Sequence, residues 1–275
     1  NIFIKKNYTN IKIPKIKILS KSNFYINKLI NYCKKGKPEI VEIHNRPSYL
    51  IKIAKKFPRT NFILVIHNDP LNLKGSTSIE ERKELLKICY KIYFVSSWVE
   101  EKFFKGLDKN FFTNFRTVYP SIDKIKKFPK KENLIIFSGK LNNAKGFDKF
   151  ATAVSKILDK HKSWNAIAIG DEPREKYSFK HKRLHFTGWI SQDEVLKLYN
   201  KSSITVAPSL WEEPFGRSSL EAGSRGNAVI ISKRGAFTIC LYKLFGIRHL
   251  PKLELSASTQ ISLKLFFAFR PIQIA

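Results

Sequence analysis

Seven short apolar runs, each closing on polar or glycine residues, constrain this chain more than any other feature. They are Ile40 to Ile43, Phe62 to Ile66, Ile92 to Val95, Leu134 to Phe137, Ala166 to Ile169, Ile204 to Val206 and Ala228 to Ile231. Runs of this length read as strands buried on both faces, which is the pattern of a parallel sheet. Between them the period changes to 3.6. Phe147, Phe150, Val154, Ile157 and Leu158 form one stripe on a helix of about four turns, and Glu80 to Tyr90 and Glu194 to Asn200 read similarly. Strand then helix, repeated on both sides of a break, predicts an α/β chain of two doubly wound, Rossmann-like domains. The break falls at Tyr119 to Lys131, where Pro120, Pro129 and a lysine cluster interrupt the pattern. A boundary placed near Pro129 divides the chain into residues 1–128 and 129–275.

Composition narrows the classes. The 275 residues are 43% hydrophobic with 22 Phe and 10 Tyr, which excludes a disordered or fibrous chain. No run approaches the ~18 to 20 apolar residues of a spanning helix. Cys33, Cys89 and Cys240 are odd in number and lack motif spacing, so neither a disulfide framework nor a cysteine-rich zinc site is expected. A reducing, cytoplasmic compartment fits them. The chain has no Met, from which an N-terminally incomplete chain is expected. Lys and Arg outnumber Asp and Glu by 51 to 22, a formal +29 that attracts anions of several kinds. Nucleic acid, anionic lipid and phosphorylated substrates all satisfy that charge. Abundant Lys, Ile, Asn and Phe with sparse Arg fit biased coding equally well, since Arg is the usual residue for specific phosphate or base contacts.

In an open α/β sheet ligands bind beyond the carboxyl ends of strands. The residues there are His44-Asn45-Arg46-Pro47, His67-Asn68-Asp69-Pro70, Ser96-Ser97-Trp98, Ser138-Gly139-Lys140, Gly170-Asp171-Glu172-Pro173 and Pro208 to Phe215. Ser138 to Gly146 leaves a strand, passes two glycines and two lysines, Lys140 and Lys145, and enters a helix. Amides at a helix start beside two ammonium groups suit a diphosphate, although an ordinary glycine turn with solvated lysines has the same composition. The segment is neither a Walker A loop nor a GxGxxG fingerprint. Farther on, Glu213 precedes a helix starting near Gly216, and Glu221 falls more than one turn inside it. A capping Glu followed by a solvated one would look the same.

The flanking residues carry a resemblance. Glu213-Pro214-Phe215-Gly216 through Leu220-Glu221-Ala222, with Ser138-Gly139-Lys140, Lys145-Gly146, Phe186-Thr187-Gly188-Trp189 and Val118-Tyr119-Pro120-Ser121-Ile122-Asp123, resembles the retaining GT-B glycosyltransferases of family 4, the glycogen-synthase and lipopolysaccharide mannosyltransferase type. The resemblance spans roughly Ile40 to Gly235. It implies a GT-B fold with a truncated N-terminal, acceptor-side domain and a C-terminal donor domain whose tail is atypical from about residue 236. It implies that Gly139, Lys140 and Lys145 hold a donor diphosphate and that amides of Phe215, Gly216, Arg217 and Ser218 meet sugar and phosphate. Glu213 is then expected to bind hydroxyls of the donor sugar and Glu221 the ribose hydroxyls. His67 looks like the family's active-site histidine, with a plain turn histidine before Asp69-Pro70 as the other reading, and His44 matches less well. Retention by front-face attack follows from the family.

The donor is expected as a substrate, with no cofactor and no metal: no D-x-D motif occurs in the chain. The His44–Pro47 and His67–Pro70 segments look like those of lipopolysaccharide-type bacterial members, which points to a saccharide or lipid-linked saccharide acceptor. The first sixty residues carry 15 Lys or Arg against Glu39 and Glu42 alone, so peripheral contact with anionic membrane is expected. Nucleic acid is not the expected partner, because no RRM, KH or helix-turn-helix signature is present. Two alternatives remain open at this point. One is a noncatalytic remnant, since Ala236-Phe237-Thr238-Ile239-Cys240 departs from the family and no glycine-rich loop stands in Asn1 to Ser20. The other is a basic nucleic-acid-binding protein.

Overall fold

The computed structural model describes residues 20–123, 125, 129–175 and 179–237, and the backbone alone of 263–266. Among these, contacts divide the chain into two compact units. One runs to Phe94 and resumes at Val99–Thr117; the other takes Val95–Trp98 and the chain from Val118 onward.

The first unit contains α1 (Lys21–Gly36), β1 (Ile40–His44), α2 (Pro47–Ala54), β2 (Asn61–Ile66), α3 (Ile79–Ile88) and β3 (Lys91–Phe94). Then come α4 (Ser97–Phe104), whose first residues fall in the other grouping, and β4 (Phe115–Thr117). The sheet runs β1-β2-β3-β4, all parallel. Ile43, Leu64, Ile92 and Phe115 stand opposite one another in one row across it. Phe62, Leu64 and Ile66 alternate with less buried neighbours along β2, so one sheet face carries the denser core. Helix α3 starts at a capping box in which Ser78 and Glu81 satisfy each other's backbone amides. Arg82 in that helix is buried, and its guanidinium donates to the carbonyls of Ser78, Phe103 and Lys105, which is why a full charge is tolerated there. On α1, Ile26, Ile30 and Cys33 face inward at helical spacing while Lys21, Lys28, Lys34 and Lys35 stay exposed.

The second unit contains β5 (Glu132–Ser138), α5 (Phe147–Lys160), β6 (Asn165–Ile169), β7 (Leu184–Gly188), α6 (Gln192–Lys201), β8 (Ser202–Ala207), α7 (Arg217–Ser224), β9 (Ala228–Ser232) and β10 (Leu263–Phe266). Strand order is β10-β9-β8-β5-β6-β7, parallel throughout except that β10 is antiparallel to β9. Burial on both faces is written into β5. Ile135 and Phe137 pack with Phe147, Phe150, Val154 and Leu158 of α5, whereas Leu134 and Ile136 pack with Tyr199 and Ala222 on the helices of the opposite face. Asn227 ties that second layer together: its amide donates to the carbonyls of Tyr199 and Ala222, and its oxygen accepts from Ser202 and Thr205. The chain walks β5, β6, β7 in one direction and then returns to β8 on the other side of β5. The C-terminal ends of β5 and β8 are therefore where strand order reverses.

All seven apolar runs are strands and the three helical stretches are helices, in two α/β units with parallel sheets. The periodicity did not single out β4 and β7. Both lie at sheet edges among the described residues, and His185, Phe186 and Thr187 are exposed, so neither strand needs an apolar run. The units divide at Thr117/Val118, ahead of the proline-bounded stretch. Residues 1–19 and, apart from the backbone of β10, those after Phe237 lie outside the described residues. The expectations about both ends of the chain fall there.

Candidate functional site

At the strand-order reversal two loops approach each other, Ser138 to Gly146 after β5 and Pro208 to Gly216 after β8. Their closeness depends on the absence of side chains. Gly146 has φ +69 and a Cβ there would overlap the Pro208 carbonyl; Gly170, after β6, has φ +128 and a Cβ would overlap the Gly139 carbonyl. The Ala144 carbonyl accepts from the amides of Leu210 and Trp211, both at 2.9 Å, and from the Ser209 hydroxyl at 3.2 Å. Asn142 caps the short 3-10 turn that ends at Lys145 by accepting from the Lys145 amide at 3.0 Å. The backbone beneath Lys145 is thus held from both sides.

That frame brings Lys145 and Glu213 together. Lys145 Nζ lies 2.5 Å from Glu213 Oε1, with the glutamate side chain only 10% exposed and the lysine side chain 33%. The Ala236 amide donates to the Glu213 carbonyl at 2.6 Å, fixing the residue's backbone as well. A cavity of about 290 Å³ opens beside the pair, lined by Ser138, Gly139, Lys145, Ser209, Glu213, Arg217, Ser218 and Phe237 among others. Helix α7 begins at its rim with Gly216 as N-cap, and Phe215 is buried just before it. Unsatisfied amides of a helix's first turn carry partial positive charge, so this end of the cavity favours an anion. One turn along, Glu221 Oε1 accepts from Arg217 Nε at 2.8 Å and from Gln192 Nε2 at 2.9 Å.

Lys140 is placed differently from Lys145. Its side chain is mostly exposed, is not among the cavity's lining, and meets Glu172 Oε2 at 3.8 Å. Glu172, at the end of β6, is buried and bound by Arg174 through two hydrogen bonds of 2.6 and 2.8 Å. Those bonds, assisted by Lys140, bring its carboxyl down to about 2. Sequence reasoning placed Glu172 at a strand end without assigning it a role. Gln192 and Phe237 carry no motif signal, because they reach the site only through the fold. A larger cavity of about 610 Å³ lies between α5 and the sheet, but apolar side chains such as Ile135, Val154, Ile204 and Ile230 dominate its lining and no carboxylate enters it. Chemistry, not size, selects the smaller one.

His67 belongs to the first unit, at the end of β2. His44, at the end of the adjacent β1, has Nδ1 2.8 Å from His67 Nε2 and Nε2 2.5 Å from Glu42 Oε1. Burial, and secondarily the charge of His44, lower the proton affinity of His67, while Glu42 opposes them. Among the described residues no group of three or more His, Cys, Asp or Glu could hold a metal ion, and no helix is long and apolar enough to cross a membrane.

The chain is similar to several known proteins. Residues 118–239, the segment that carries the cavity, match the profile of a family described as Glycosyl transferases group 1. Spore coat protein SA of Bacillus subtilis (strain 168) is 24% identical over 243 residues, covering 74% of this chain and 62% of that protein. An uncharacterized glycosyltransferase of Methanocaldococcus jannaschii, MJ1607, is 33% identical over 129 residues, 44% of this chain and 33% of that protein. Among solved structures, Anabaena Alr3699/HepE in complex with UDP-glucose superposes with a TM-score of 0.62 at 15% identity, covering 82% of this chain and 65% of that one. This likeness is one of fold, to a two-unit α/β architecture of the GT-B kind. The chain spans less than two thirds of the length of each of these relatives.

Proposed function

We propose that the protein is a retaining glycosyltransferase of the family 4 type, moving a hexose from a nucleotide sugar to a polysaccharide or lipopolysaccharide acceptor. The observation that carries this reading is the Lys145–Glu213 pair beside a helix N-terminus at the strand-order reversal. A nucleotide sugar needs both signs of charge within a few ångströms. The diphosphate needs cations and amides, and the sugar needs an acceptor for its hydroxyls. Lys145, with amides of Gly216, Arg217 and Ser218, supplies the first. Glu213 supplies the second, and it exchanges its bond to Lys145 for bonds to the donor.

In transfer, the bond from the anomeric carbon to the diphosphate oxygen breaks and its electron pair leaves with the phosphate. The acceptor hydroxyl attacks the same face and gives its proton to the departing phosphate oxygen. Lys145 and the helix start stabilise the charge growing on that oxygen, and fixed donors of this sort lower barriers because they need no reorganisation. Lys140, held by Glu172, stands ready as a second cation from the rim. Glu221 is fixed by Arg217 and Gln192 through one oxygen, leaving the other for ribose hydroxyls. His67 acts at the sugar in this reading. The resemblance of the His44–Pro47 and His67–Pro70 segments to lipopolysaccharide-type members supports the acceptor class, and the buried thiols of Cys33 and Cys89 fit a cytoplasmic setting.

Calorimetry with a panel of UDP-, GDP- and ADP-sugars tests the reading. One donor should bind, and Lys145→Ala and Glu221→Ala should each weaken it at least tenfold. Unchanged affinity in both variants defeats the site assignment.

A further inference from the structure

The ends of β1 and β2 carry a chain of three side chains that the function above leaves unexplained. Glu42 and His44 are two residues apart on β1 and share a face, and the parallel register sets His44 opposite Val65, which places His67 just beyond it. Glu42 Oε1, both nitrogens of His44 and His67 Nε2 then follow one another at 2.5 and 2.8 Å. The two imidazoles are stacked with centroids 5.0 Å apart. The backbone joins in: Asn45, at φ +51, accepts the His67 amide on its side-chain oxygen at 2.7 Å.

Hydrogen-bond chemistry orders this chain in only one direction when both rings are neutral. An ionised carboxylate can only accept, so His44 Nε2 must carry its proton. A neutral imidazole has a single N–H, which leaves His44 Nδ1 as a lone pair. His67 Nε2 must therefore be the donor, and the lone pair of His67 falls on Nδ1. We infer that Glu42 and His44 are positioning residues that set the tautomer of His67, so that its Nδ1 meets a ligand hydroxyl as a hydrogen-bond acceptor. The lowered proton affinity of His67 keeps that nitrogen unprotonated. The identity of the hydroxyl as a sugar's rests on the glycosyltransferase reading; the tautomer does not.

The test is long-range proton–nitrogen correlation on the 15N-labelled chain, without ligand, at about pH 8, above the ordinary imidazole value of ~6.5. In the unaltered chain His67 Nδ1 is expected to resonate as an unprotonated ring nitrogen and Nε2 as a protonated one. His44→Phe keeps a ring in the stack but offers no acceptor, and it should move both His67 nitrogens toward values averaged over the two tautomers. Glu42→Leu, at a side chain 51% exposed, should leave the fold intact and average the tautomers of both rings. A protonated Nδ1 in the unaltered chain overturns the inference, as do His67 signals that stay put in Glu42→Leu. Donor calorimetry on Lys145→Ala reads the other proposal separately, because Lys145 belongs to the second unit and takes no part in the histidine chain.

Discussion

The strand ends of the second unit are held by backbone lying against backbone, at Gly146 and Gly170, where no side chain fits. In the first unit one such contact, Gly75 against the backbone of Pro47 and Ser48, is joined by a side chain: Asn45 takes the left-handed conformation and its carboxamide oxygen accepts from the amides of His67 at 2.7 Å and Asn68 at 3.3 Å. The chemistry differs in parallel. The second unit offers an ammonium–carboxylate pair and a helix start, fixed charges suited to a charged ligand. The first offers imidazoles whose hydrogen-bond roles depend on protonation. Rigid backbone cradles suit ligands whose charge must be matched closely, whereas side-chain networks can be retuned one residue at a time.

Gly170→Ala should show the largest effect. Its Cβ meets a carbonyl that cannot move without separating β5 from β6, and φ +128 is strained for any L side chain, so a loss of about 3 kcal/mol or more is expected in denaturant unfolding. Asn45→Ala, the counterpart, should cost about 1–2 kcal/mol because two backbone amides lose their shared acceptor, and Asn45→Gly should recover part of that by relaxing the backbone. Equal costs at the two sites would erase the contrast.

Next in size is ligand binding. Lys145→Ala should weaken a bound nucleoside diphosphate by roughly 1.5–3 kcal/mol, the range of hydrogen bonds to charged groups, while His44→Phe should leave that affinity unchanged. A loss in His44→Phe as large as in Lys145→Ala would show that the two strand ends are not chemically separate.

Protonation sharpens the comparison further. His67 binds protons less tightly folded than unfolded, so the unfolded chain takes up more as pH falls. Its contribution is fully present above ~6.5 and is lost as pH drops through the folded value. Glu172 is lowered to about 2, so its contribution persists above its ordinary value near 4.5 and is lost only toward about 2. Hydrogen exchange between pH 7 and 5 should show a small loosening around β1 and β2 that His67→Gln removes, with the amides around β6 unaffected. Loosening around β6 in the same window would contradict the assignment.

The smallest effect expected is at a membrane surface. The exposed lysines of α1 should give salt-sensitive sedimentation with anionic but not neutral vesicles, at about 1 kcal/mol per well-placed basic residue. Binding that ignores salt would reject an electrostatic origin.

The seven strands and the helices between them were legible because burial on both faces leaves an apolar run with nowhere else to go. That Glu213 stands just before a helix start and Glu221 inside that helix was legible too, since their neighbours form a recognisable pattern around it. Lys131 was not: read as part of a charged linker, it is half-buried and donates to the carbonyls of Tyr199, Asn200 and Arg225, with burial lowering it to about 8. Those acceptors lie at least 68 residues away in the chain, beyond any local pattern.

Local periodicity and turn chemistry by themselves determined the α/β class, the parallel strands and the positions of the loops that carry polar residues, because those depend on each segment's own burial and backbone freedom. Tertiary structure alone decided which loops meet. It set Lys145 rather than Lys140 against Glu213, gave Glu172 two cationic partners, tied Gln192 to Glu221 and lined up Glu42, His44 and His67. Strand order is the physical reason: β8 returns beside β5, and β1 lies beside β2, and neither adjacency is written in the spacing of the residues it brings together.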